Sequence, residues 1–113
     1  MRTQRLFMAL LAGAIMAAVS LGAAAQGTAG SAEAGKAKLA MCNGCHGIQG
    51  YKTAYPDVYH VPKIYGQQPA YIVKALQAYK SGEHSHPSMR GIARSLTDTD
   101  MADLAAYYAG GAK

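Results

Sequence analysis

The sequence predicts an all-α domain of three or so helices joined by long loops, and three observations carry that reading. Apolar residues recur at spacings of three and four in two separate segments, Ile72 to Tyr79 and Met101 to Tyr108. No stretch alternates apolar and polar residues as a half-buried strand does. The connection from Gly44 to Gln67 holds Gly47, Gly50, Pro56, Pro62 and Gly66 and has no sustained helical period.

The chain opens on a leader. Arg2 and Arg5 precede an unbroken apolar run from Leu6 to Val19, and small residues follow in LGAAAQ, with Ala23 and Ala25 placed for cleavage. Residues 1–25 therefore read as a signal peptide that sends residues 26–113 to the periplasm. An uncleaved anchor is the other reading, because Leu6 to Ala25 matches the roughly 20 residues that span a bilayer. The exported part is one domain, 88 residues of the 113. A core that small needs a staple, a metal or a buried cofactor. Losing Arg2 and Arg5 leaves nine of eleven basic residues against six acidic ones, a net charge of +3. No Lys/Arg run accompanies it, which argues against nucleic acid as a partner.

After a short lead, QGTAGS, the first helix is expected from Ala32 to about Asn43, capped by Ser31 with Glu33 in its first turn. The second opens at Pro69, which suits a first helical turn, and carries Ile72, Val73, Leu76 and Tyr79 before Gly82 ends it. An irregular loop, EHSHPSMRGIARS, follows. The last helix has the clearest start: Thr97 and Asp100 at capping-box spacing, with Leu96 and Met101 placed as a hydrophobic staple. Met101, Leu104, Ala105 and Tyr108 line one face of it, and Gly110-Gly111 stops it.

The chemistry sits in CNGCH, which holds both cysteines of the chain. Structural zinc takes four ligands, commonly from two cysteine pairs, and the second pair is missing. A thioredoxin-like redox pair needs a βαβ setting that the pattern does not offer. A plain disulfide suits an oxidising compartment, yet it leaves His46 without a role. Covalent c-type haem attachment uses all three residues: Cys42 and Cys45 as thioethers to the haem vinyl groups, His46 as an axial iron ligand. For the sixth iron position Met41, Met89, Met101, His60, His84 and His86 are the candidates. Met41 adjoins the attachment motif, and Met101 is already used as a staple partner. The histidines are rivals to Met89, since imidazole also binds haem iron.

With AGKAKLAMCNGCHG, VPKIYGQQPAYIVKALQAYKSGE, HPSM and LTDTDMADLAAYYA in this order, the chain resembles the class I c-type cytochromes. It is most similar to the short bacterial single-haem kind, or to one half of the di-haem kind. The resemblance implies the cytochrome c fold, three to five short helices and long loops wrapped around one covalent haem c, with Met89 as second axial ligand. It also implies that the Pro62 carbonyl receives the His46 ring proton and that Ile64 lies on the haem face. Gly35 and Leu39 on the first helix would cross Leu104 and Tyr107 on the last. The sequence departs from the resemblance in its tyrosines, Tyr51, Tyr55, Tyr59 and Tyr65. With Lys52, Lys63, Arg90 and Arg94 they are candidates to meet haem propionates.

The implied function is one-electron transfer, not catalysis, between redox proteins such as a membrane oxidoreductase, a terminal oxidase or a periplasmic dehydrogenase. No small-molecule substrate is expected. The alternative is a haem enzyme or gas-binding sensor, which needs an open or weakly held sixth position; His84 and His86 are the residues that would serve it.

Overall fold

The computed structural model describes residues 29–55 and 57–110. The expected leader, Pro56 and Gly111 lie outside them. Among the described residues the elements run α1 (Ala32–Ala37), α2 (Ala40–His46), β1 (Lys52–Thr53), β2 (Tyr59–His60), α3 (Pro69–Ser81), α4 (Pro87–Arg94) and α5 (Asp98–Ala109). β1 and β2 form a short antiparallel ribbon, Lys52 opposite His60 and Thr53 opposite Tyr59. It is a small correction to the expected absence of strands: two residues on each side are too few to write an alternating pattern.

The first expected helix is two. Ser31 caps α1 by accepting from the Ala34 N–H at 3.3 Å. At Lys38 the backbone leaves helical geometry, and its N–H turns to the Gly35 carbonyl three residues back, at 3.0 Å. The break coincides with tertiary contacts. The Lys38 ammonium is drawn to Asp100 Oδ1 at 2.8 Å and Asp103 Oδ2 at 2.6 Å, and Leu39 is buried in the core. Chain direction changes there, and α2 sets off toward the cleft with the two thiols.

The core comprises Leu39, Ile72, Leu104, Ala105 and Tyr108, with Cys42, Ile64, Val73 and Leu76 packed on it. α5 is its spine. It begins in a complete capping box: Asp100 N–H to Thr97 Oγ1 at 3.1 Å, and Thr97 N–H back to Asp100 Oδ2 at 2.8 Å. α1 crosses α5 so closely that a Cβ on Gly35 would overlap the Asp103 carbonyl and sit 2.9 Å from Tyr107 Cβ. Gly30 meets the Ala102 carbonyl in the same way, a contact its place in the flexible lead did not advertise.

Asp103 fastens both ends of α1 to α5. Its Oδ1 accepts the Ser31 N–H at 2.7 Å, and its Oδ2 holds Lys38. The carboxyl is therefore held below the ordinary carboxylate range, first by Lys38 and then by the Ser31 N–H. α3 follows its sequence signals: Pro69 in the first turn, and Gly82 with φ 91° closing the helix with N–H bonds to Ala78 and Tyr79.

Candidate haem-binding site

α2 carries MCNGCH on one and a half turns and ends at His46, where Gly47 returns its N–H to the Asn43 carbonyl at 3.1 Å. Residues three and four apart share a helix face, so Cys42, Cys45 and His46 lie together. No disulfide joins the two cysteines, and each is half-buried. Burial pushes the Cys42 thiol above its ordinary value, with Tyr108 pulling more weakly the other way.

In front of this face opens a shallow cleft. Cys42 and His46 line it from α2, Ile64 from the loop, Ile72 and Leu76 from α3, Met89 and Ile92 from α4, and Leu104 and Tyr108 from α5. Met41 and Leu96 complete the wall. No Lys, Arg, Asp or Glu belongs to the lining, so an apolar ligand is what the walls suit. Among the described residues no three His, Cys, Asp or Glu side chains gather into a metal cage. The donors that line the cleft are instead an imidazole, a thiol and thioethers, a set that fits haem, whose macrocycle brings its own four nitrogens to the iron. Cys45 adjoins the cleft through its place on α2 but is not part of the lining.

The His46 ring is oriented from behind. Its Nδ1 donates to the Pro62 carbonyl at 2.8 Å. That bond places the ring proton on Nδ1 and leaves Nε2 free as a metal donor. Two residues on, Ile64 enters the cleft wall.

Met89 also lines the cleft, but the segment that presents it is a helix. The expected irregular loop winds from Pro87 into α4, with Pro87 in the first turn and the His86 side chain as the cap. His86 Nδ1 accepts the Met89 N–H at 3.4 Å. Histidine is a poor statistical cap, which is why Ser/Thr/Asp/Asn rules pass over this start. Met101 is fully buried and does not reach the cleft lining. Neither does any of His60, His84 and His86. His84 packs edge-on against Tyr79 at 4.9 Å, and His86 against Tyr59 at 4.8 Å.

Lys52, Lys63, Arg90 and Arg94 are likewise absent from the lining. Tyr65 turns to its own kind, 4.9 Å from Tyr108 and 6.1 Å from Tyr107. Its hydroxyl is raised, chiefly by hydrogen bonding with Tyr107. Tyr108 is the residue that the sequence reading left as simple core. It is 2% exposed, lines the cleft, and donates its hydroxyl to Asn43 Oδ1 at 3.5 Å. Burial, then the neighbouring Cys42, push that hydroxyl far above its ordinary value, so it stays a neutral donor.

Residues 32–109, from the first helix to the end of the last, match the family model for cytochrome c. The chain belongs to the cytochrome c family. Its covalent cofactor is haem c, and electron transfer is the work of its homologues. Over 73 residues it is 41% identical to cytochrome c4 of Pseudomonas aeruginosa, a match covering 65% of this chain and 34% of that one. Cytochrome c-554(548) of Halomonas halodenitrificans is 37% identical over 74 residues, 63% of this chain and 84% of the relative. The cytochrome subunit of sulfide dehydrogenase from Chlorobaculum tepidum is 33% identical over 67 residues, 59% and 56% of the two chains. The chain spans about a third of the length of the cytochrome c4 relatives it matches. As a cytochrome c domain it is mainly helical, as the sequence reading expected.

Proposed function

We propose that this chain is an exported electron carrier: residues 1–25 direct residues 26–113 to the periplasm, where one haem c is held by thioethers to Cys42 and Cys45 and by His46 and Met89 as axial ligands. The observation that carries this reading is the presence of His46 and Met89, from α2 and α4, in the walls of one apolar cleft. Bound haem supplies a one-electron couple between ferric and ferrous iron.

The chain's own residues do the rest. The Pro62 carbonyl keeps the His46 ring in one tautomer and one orientation, and strengthens its donor nitrogen. Ile72, Leu76, Ile92, Leu96 and Leu104 exclude water, so the local dielectric is low and the site's polar groups reorganise little when charge changes. A thioether in place of a second imidazole favours the reduced state and raises the potential. His84 and His86 are engaged with tyrosines outside the cleft lining, which weighs against an enzyme or gas sensor.

The partners are redox proteins met through small transient contacts. The kinship with the cytochrome subunit of sulfide dehydrogenase supports a second form of the same reading, a permanent haem subunit of an oxidoreductase. The test is the visible to near-infrared spectrum of the exported, oxidised protein, with Met89→Ala beside it. A weak far-red sulfur-to-iron band that Met89→Ala abolishes is the expected result. A low-spin spectrum without the band moves the ligand to histidine, and a high-spin spectrum opens the iron and sinks the carrier reading.

A further inference from the structure

The tyrosine-rich stretch from Tyr51 to Val61 has no part in the site described so far, yet it is bonded as a unit. Tyr51 and Val61 close its base, the Val61 N–H donating to the Tyr51 carbonyl at 3.0 Å. Inside it, Thr53 Oγ1 donates to the Asp57 carbonyl at 3.1 Å and accepts the Tyr59 N–H at 3.2 Å. These bonds fix the backbone of Tyr59 at the end of the ribbon. Its ring then meets the His86 ring edge-on, centroids 4.8 Å apart with planes at 62°. This is within the range of favourable aromatic pairs.

His86 in turn accepts the N–H of Met89. For Nδ1 to accept, the His86 proton sits on Nε2, so the ring has one defined orientation in the cap. α4 has only eight residues and one side-chain cap at its start. Short helices depend on tertiary contacts, so what holds the ring also holds the first turn, where Met89 is the third residue. Three residues after Tyr59 comes Pro62, whose carbonyl orients His46. One short stretch thus touches the supports of both residues assigned to the iron.

We propose that Tyr59 is a positioning residue for Met89, acting through His86, so that the ribbon clasps α4 and keeps the thioether on the iron. The proposal rests on the reading of Met89 as an axial ligand. It does not use the Tyr59 hydroxyl or any change of charge on His86.

The test is the rate at which cyanide binds the oxidised, exported holoprotein, which reads how often the methionine side of the iron opens. Tyr59→Ala is expected to speed cyanide binding by roughly 2- to 10-fold, the factor that corresponds to an aromatic pair. It should also weaken the far-red band and quicken hydrogen exchange at the Met89 amide. Tyr59→Phe keeps the ring and is expected to match the parent, as is Val58→Ala, an exposed neighbour just before the second strand. His86→Asn keeps a cap acceptor while removing the ring, and is expected to reproduce Tyr59→Ala. Should Tyr59→Ala fail to fold, the His86→Asn rate decides alone. Parent-like cyanide binding in Tyr59→Ala, or equal acceleration in Val58→Ala, overturns the clasp while leaving Met89 ligation intact. A far-red band that survives Met89→Ala removes the ligand assignment, and the clasp falls with it.

Discussion

Replacing Gly35 by alanine sets two effects of known size against each other. In a helix, alanine is better than glycine by about 1 kcal/mol, so propensity alone predicts a more stable protein. The crossing of α1 on α5 predicts the reverse. The new methyl would overlap the Asp103 carbonyl, which is helix backbone and cannot rotate away, and would lie 2.9 Å from Tyr107 Cβ. Carbon atoms prefer about 3.5 Å or more, so relief at Tyr107 alone needs a displacement of roughly 0.6 Å. Overpacking of this kind costs about 1–3 kcal/mol, and rigid neighbours put this position at the upper end. Net destabilisation is then about 2 kcal/mol. For a domain of this size that lowers Tm by roughly 8–16 °C. Because α1 leads directly into α2, the same displacement strains the approach of Cys42, Cys45 and His46 to the cleft. Thermal unfolding of the exported holoprotein, followed by far-UV circular dichroism, measures the shift. A Tm equal to or above that of the parent would refute the close-crossing argument and leave propensity as the controlling term.

The Lys38 cluster gives stability a pH dependence of definite sign. Asp100 and Asp103 have folded-state pKa values below their unfolded ones, with Lys38 the largest cause for each. Their contribution is present above the unfolded value near 3.9 and is lost as pH falls through the folded values. Unfolding free energy measured against pH should therefore fall steeply below about pH 4 in the parent and less steeply in Lys38→Met; an identical acid limb would contradict the assignment. Thr97→Ala removes the capping box of α5 and should cost about 1 kcal/mol in denaturant unfolding. No change would mean that Asp100 caps alone. Leu104→Ala opens the core where it meets the cleft and should cost about 2–5 kcal/mol. A value under 1 would mean that the wall collapses onto the gap.

The sequence by itself determined the features whose physical causes are local. CNGCH names its chemistry because two thiols and an imidazole at that spacing have few other uses. Pro69 and Gly82 bounded α3, and Thr97 with Asp100 opened α5, because caps are decided by a residue and its neighbours within one turn. Other features were beyond local signals. The break at Lys38 coincides with ion pairs to carboxylates 62 and 65 positions further on. The helix around Met89 begins on a histidine cap whose ring packs edge-on against Tyr59, far off in sequence. Tyr108 reads as one more apolar-face residue until the fold sets it against Cys42 and the cleft. Those outcomes depend on side chains from distant segments meeting around one small, largely apolar core. Only the tertiary structure brings them together.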